Sequence, residues 1–211
     1  VADLLAAAGV PGPRGGRAAT AAEAASLADQ IGYPVAVKVV SPQAVHKTEI
    51  GGVALGLGDA DAVARAAERM AARLEDAHPG ARLDGFLVQE MVAGLEFFVG
   101  LRDDPQFGPV IAAGLGGIHV EVLRDLAFRL LPIDEAEARE MLGSLRARAL
   151  LGRFRGQAPR DVDALVDAML AAADAFPGVR HRLADFEINP LTVLAEGGGV
   201  RAVDIRETAR R

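Results

Sequence analysis

The sequence predicts an α+β protein built as two lobes, and three observations carry that reading. Short apolar strands alternate with amphipathic helices as far as about residue 91, after which the pattern becomes strand-rich. A small-residue seam, Val92-Ala93-Gly94, separates the two stretches. With 211 residues there is enough chain for each lobe to bury a core of its own.

Residues 1–16 are small and rich in Gly and Pro, which reads as a short helix followed by a loop. Thr20 and Glu23 then have the spacing of a capping box, and Ala24, Leu27, Ala28 and Ile31 share a helical face that Gly32-Tyr33-Pro34 terminates. Residues 35–40 are apolar except for Lys38, the pattern of a strand buried on both faces. A polar loop over 41–52 ends in glycines, and 53–57 is the next strand. Residues 59–78 form a helix with Val63, Ala67, Met70 and Leu74 inward, closed by Pro79-Gly80 and followed by a strand at 86–91. These elements define a smaller lobe at 19–93, preceded by an N-terminal helix and loop at 1–18.

The larger lobe, 94–211, opens with expected strands at 96–101, 110–114, 118–122 and 127–131. Asp134 and Glu137 cap a helix running to about 142. A second helix, 161–176, carries Val162, Leu165, Val166, Met169 and Leu170 on one stripe and stops at Pro177-Gly178. Strands at 183–188, 191–194 and 200–205 close the chain, with Gly197-Gly198-Gly199 turning between the last two.

Composition removes several classes of function. A net charge of -6 and 4% aromatics without Trp argue against nonspecific nucleic-acid binding and base-stacking platforms. The absence of cysteine excludes disulfides, thiolate zinc sites and a Cys nucleophile. No apolar run reaches the roughly 18–20 residues that span a bilayer. The first ten residues carry Asp3 and lack a basic flank, so no signal peptide is expected and a cytoplasmic setting is the default. Of 23 basic residues, 21 are arginine, and only Lys38 and Lys47 are lysine. A lysine retained against such a bias suits a task that needs a compact ammonium rather than a planar guanidinium.

The motifs point toward phosphate and metal. No complete dinucleotide fingerprint and no Walker A sequence is present. Lys38 inside an apolar strand is either an ammonium held over nucleotide phosphates or an edge-strand lysine facing solvent. The following His46-Lys47-Thr48-Glu49-Ile50-Gly51-Gly52 loop has glycines that would let backbone N–H groups approach a phosphate, or that simply shape a hairpin. Gln89, Glu90 and Val92 at the seam could offer groups to an adenine edge, and Glu96 could accept ribose hydroxyls. Gly116 and Gly117 end a second close-approach loop. Alternation sets Asp185, Glu187 and Asn189 on one sheet face, with Asp204 on the last strand. Such hard oxygen donors suit Mg²⁺, although a plain polar sheet face has the same pattern.

In order, residues 32–42 (GYPVAVKVVSP), 46–53 (HKTEIGGV), 104–109 (DPQFGP), 114–121 (GLGGIHVE), 128–132 (FRLLP), 154–156 (FRG) and 187–191 (EINPL) are distributed along most of the chain. Together they resemble the ATP-grasp domain of ADP-forming (NDP-forming) acyl-CoA synthetases, relatives of the succinyl-CoA synthetase β subunit. The resemblance implies an ATP-grasp fold with ATP or ADP in the cleft between the lobes. It places Lys38 on the phosphates, Glu90 and Val92 near adenine, and Glu96 on the ribose side. It also puts Mg²⁺ on Asn189 and Asp204 with Glu187 beside them. His46 stands at a position associated with phosphate relay in the family, as acceptor or as a supporting residue. The sequence departs from the family where Asp185 and Glu187 exchange the usual carboxylate lengths, and where His119 replaces an aromatic residue.

The implied reaction converts acid, CoA and ATP into acyl-CoA, ADP and phosphate through an acyl phosphate and a phosphohistidine. A CoA-binding, phosphohistidine-bearing domain or α subunit would have to supply the remainder. The alternatives are a regulatory nucleotide-binding module fused to an acetyltransferase and an ATP-grasp carboxylate–amine ligase.

Overall fold

The computed structural model describes residues 1–44, 50–117, 120 and 123–210. The chain divides into two compact units: Val1–Gly12 with Val92–Arg211, and Pro13–Met91. The first helix, α1 (Ala2–Ala7), therefore belongs to the larger unit.

The smaller unit contains β1 (Gly15–Ala18), α2 (Ala21–Ile31), β2 (Val35–Val40), β3 (Val53–Leu57), α3 (Ala60–Ala77) and β4 (Gly85–Glu90). Its strands form one antiparallel sheet in the order β1-β4-β2-β3. The Thr20 side chain caps α2 by accepting from the Glu23 N–H, while the Glu23 carboxylate reaches the Ala19 N–H. Asp59 caps α3 through the Ala62 N–H. The helices bring Ala24, Ala28, Val63, Met70 and Leu74 against Val35, Val37, Val39, Phe86 and Val88 on one sheet face. Period-two alternation then sends Lys38 and Ala36 to the opposite face.

The larger unit continues with β5 (Leu95–Asp104), β6 (Gly108–Leu115), β7 (Leu126–Leu130), α4 (Glu135–Ser144), a 3₁₀ turn (Arg146–Leu150), α5 (Val162–Val179), β8 (Leu183–Val193), β9 (Val200–Ala202) and β10 (Ile205–Ala209). Its antiparallel sheet has the order β10-β8-β5-β6-β7, with β9 paired to β8. Phe97, Val99, Leu101, Ile111, Phe186 and Ile188 form the sheet side of a core closed by Met141, Leu165, Met169 and Phe176. Asp134 and Glu137 complete their capping box at α4. On the opposite sheet face, Arg206, Glu187, Gly100, Ala112 and Phe128 form one row across the strands. Together with the neighbouring row they line an open groove of about 720 Å³, charged toward β8 and β10 and apolar toward β6 and β7.

Four elements differ from the sequence expectation. The expected strand at 200–205 is divided into β9 and β10, so Asp204 lies between strands rather than on the last one. Residues 15–18 form an edge strand rather than a loop, held by pairing with β4. β8 runs through Asn189-Pro190 instead of turning there. Its register against β5 shifts between Phe97 and Val99, so two residues of β8 stand opposite one of β5 and the missing Pro190 N–H interrupts only the bulge. α5 carries Pro177 inside its last turn and ends at Val179. The expected strand at 118–122 lies largely outside the described residues.

One carboxylate, directly before β7, fixes the start of the 3₁₀ turn that follows α4. Asp125, with a side chain 9% exposed, accepts from the Arg146 and Ala147 N–H groups at the start of the 3₁₀ turn. Burial pushes its pKa up, but those two donors and the Arg146 guanidinium outweigh burial and hold the carboxyl below its usual range. A depressed folded pKa means stability that is full above the unfolded carboxylate pKa, about 3.9, and lost as pH falls through the folded value. Asp125→Asn should therefore cost about 1–3 kcal/mol at neutral pH in urea melts. The gap to wild type should close on acidification; a gap independent of pH would contradict this assignment.

Candidate functional site

In the smaller unit, strand register places Arg17, Leu87, Lys38 and Val53 in one row across the sheet. Gly15, Gln89 and Ala36 make the adjacent row. β2 lies between β4 and β3, and Lys38 is only 8% exposed. The solvent-facing edge lysine is thereby ruled out, and a cation is held on the sheet face that the helices leave open. Gln89 Oε1 on the same face is buried and has no hydrogen-bond partner among the described residues.

The seam residues have more specific geometry than their types suggested. The Glu90 carboxylate accepts from the Arg14 backbone N–H at 2.9 Å and from its Nε at 2.6 Å. Its side chain is thus anchored to the segment before β1, a contact across 76 positions that sequence pattern does not signal. The Met91 N–H donates to the Pro34 carbonyl, and half-buried Val92 follows as the first residue of the larger unit's main segment. Gly51 has φ +65 and packs so closely on Arg73 that a Cβ would collide with the guanidinium. The Gly52 carbonyl accepts from the Val39 N–H, which binds the end of the loop to β2. His46 and Lys47 lie outside the described residues.

The larger unit gathers a second set around the middle of β8. The Gly117 N–H donates to Asn189 Oδ1 at 2.8 Å, and the Asn189 N–H donates to the Asp204 carbonyl at 2.9 Å. The Gly116 N–H donates to the Glu96 carbonyl at 2.9 Å, fixing the loop against the start of β5. Glu96 itself is exposed. Glu187, two residues before Asn189, shares its sheet face with Asp185, while Phe186 and Ile188 point into the core. Burial raises the Glu187 pKa, the nearby Asp185 and Asp204 charges raise it further, and Arg206 opposes them. Arg206 comes within 3.9 Å of the Glu187 carboxylate from its paired position on β10.

The expected metal-binding residues are thus neighbours, but with a qualification. Among the described residues no three His, Cys, Asp or Glu side chains converge as a metal site by themselves. The set that fits a divalent cation is mixed: the Asn189 amide oxygen, Asp204 and Glu187. Oxygen donors of this kind suit Mg²⁺, which keeps waters and substrate phosphates in its shell rather than a complete protein cage. Burial is the main reason that the Glu187 pKa is raised, with Asp185 and Asp204 adding to it and Arg206 opposing. The Gly117 N–H, in the close-approach loop that the sequence reading named, is engaged by Asn189.

A family model described as an ATP-grasp domain matches residues 1–208. The chain is 42% identical over 186 residues to acetate–CoA ligase (ADP-forming) I of Archaeoglobus fulgidus, covering 87% of this chain and 26% of that one. It is 36% identical over 204 residues to the β subunit of acetate–CoA ligase (ADP-forming) II of Pyrococcus furiosus, covering 96% and 86% respectively. The chain therefore spans about a quarter of the first relative and most of the second. Acetyl-coenzyme A synthetase 1 of Ca. Korarchaeum cryptofilum, solved with coenzyme A and Ca-AMPCP, superposes with a TM-score of 0.89 at 36% identity, covering 99% of this chain and 90% of that one. Another structure of that synthetase, with coenzyme A and Mg-AMPPCP, has its phosphohistidine segment pointing towards the nucleotide site; its TM-score is 0.80 at 35% identity, with coverage of 98% and 88%.

Proposed function

This chain belongs to the ATP-grasp domain family, and from that premise we propose that it binds MgATP or MgADP as the nucleotide-handling part of an ADP-forming acyl-CoA synthetase. The observation that carries the proposal is the middle of β8, where the Asn189 side chain is fixed by Gly117, its backbone pairs with Asp204, and Glu187 lies two residues before it. The likeness to a β subunit over nearly the whole chain supports the same reading.

Each unit has its own share of the work. In the smaller unit, Lys38 neutralises phosphate charge from a sheet face where burial makes an ammonium electrostatically effective. Gln89, anchored Glu90 and Val92 serve the adenine, and Gly51, Gly52 and Lys47 serve the phosphate-covering loop. In the larger unit, Glu96 serves the ribose and Gly116 and Gly117 shape the adjoining loop. Glu187, Asn189 and Asp204 would hold Mg²⁺, which when bound supplies charge neutralisation and orientation to the phosphates. His46 is a phosphoryl acceptor or a supporting residue beside the relay.

The complete reaction interconverts acid, CoA and ATP with acyl-CoA, ADP and phosphate by way of acyl phosphate and phosphohistidine. Its CoA-binding and phosphohistidine-bearing groups come from a partner domain or α subunit. Catalysis by this chain is chiefly positioning and charge neutralisation, as in phosphoryl transfer generally.

MgADP at about 100 times its Kd should stabilise the chain by about 2.7 kcal/mol, read as a rise in melting temperature. Lys38→Ala should weaken MgADP binding about tenfold or more, the scale of a lost charge-assisted contact. Arg69→Ala, on the exposed face of α3, should leave it unchanged. No melting shift with wild type, or equal effects of the two substitutions, would overturn the proposal.

A further inference from the structure

We propose that Gly117 is a positioning residue that couples the metal-binding amide of Asn189 to the ribose-facing carboxylate of Glu96. The inference rests on the nucleotide-binding reading and gives that site an internal link. Gly117 has φ +63, a conformation that glycine adopts without cost and side chains resist. A Cβ on Gly117 would collide with Oε2 of Glu96, so the residue must be glycine for that carboxylate to keep its place. Its N–H simultaneously donates to Asn189 Oδ1 across 72 positions of sequence. One residue thus touches both functional side chains, through the space above its Cα and through its amide.

The hydrogen bond also settles which way Asn189 faces. A backbone N–H can only donate, so the amide atom it meets is the oxygen and not the nitrogen. A carbonyl oxygen has two lone pairs; Gly117 engages one and fixes the amide plane, leaving the second for a cation. Partners of this kind, which orient a metal ligand without touching the metal, commonly change metal affinity by about 10–100-fold when removed. The Gly116 N–H, bonded to the Glu96 carbonyl, and the Asn189 N–H, bonded to the Asp204 carbonyl, hold the two ends of this link in register. The loop therefore acts as a spacer that sets the ribose and metal contacts relative to one another.

Calorimetric titration with ADP across a Mg²⁺ series, repeated with 2′-deoxy-ADP, tests the coupling. Wild type should bind MgADP and prefer it over the 2′-deoxy form. Asn189→Ala should raise the Mg²⁺ concentration for half-maximal binding about tenfold or more while keeping the ribose preference. Glu96→Ala should lose the ribose preference while keeping the Mg²⁺ requirement. Gly117→Ala should damage both, and adding Glu96→Ala to it, which removes the collision, should recover part of the Mg²⁺ response. Wild-type binding with a Gly117→Ala variant normal in both readouts would overturn the coupling alone. Failure of wild type to bind MgADP would overturn the nucleotide reading itself. If Gly117→Ala does not fold, hydrogen exchange at the Gly117 amide decides: Asn189→Ala should accelerate it about tenfold, matching the loss of one hydrogen bond, and unchanged exchange would overturn the proposal.

Discussion

The hydrogen bond from the Gly117 N–H to Asn189 Oδ1 is the contact on which the larger unit's functional end depends. Gly117 lies just beyond β6, Asn189 is within β8, and Asp204 directly precedes β10. Backbone pairing alone would align these strands but would leave the Asn189 amide free to rotate. The donated N–H converts that amide into an oxygen with a fixed direction, and the Asn189 N–H extends the arrangement to the Asp204 carbonyl. Glycine suits the position through its φ of +63, and a Cβ there would displace the Glu96 carboxylate from its place.

Both units use the same division of a sheet into a core face and a working face. In the smaller unit the helices cover Val35, Val37 and Val39, which leaves Lys38 on the other side, still well removed from water. In the larger unit Phe186 and Ile188 face the core, which leaves Asp185, Glu187 and Asn189 opposite. Period-two geometry thus produces functional placement as a consequence of core packing. The amphipathic groove beside Glu187 belongs to the same uncovered face, its charged rows passing into Phe128, Leu130 and Val110.

Much of this was legible in the sequence where the information is local. The alternation around Lys38 and Glu187, the capping residues Thr20, Asp59 and Asp134, and the ordered family motifs all act over a few residues. The edge strand Gly15–Ala18 was not legible, because its small residues carry no apolar alternation and its partner is β4. The anchoring of Glu90 by Arg14 and the Gly117–Asn189 link join residues 76 and 72 positions apart. Pro190 suggested a turn because proline breaks a ladder, yet β8 accommodates it in a bulge whose place is set only by the pairing register with β5. The sequence reading named Gly117 in a close-approach loop but could not say what its N–H meets, since loop glycines do not reveal which acceptor their amides find.

The most direct test is amide NMR of the chain with ADP when paramagnetic Mn²⁺ replaces Mg²⁺. Nucleotide-dependent broadening centred on the Gly117, Asn189 and Asp204 amides is the expected result. Broadening centred at the far end of the same sheet, around Asp104 and Thr208, or broadening that does not require ADP, would contradict the placement of the metal–nucleotide site.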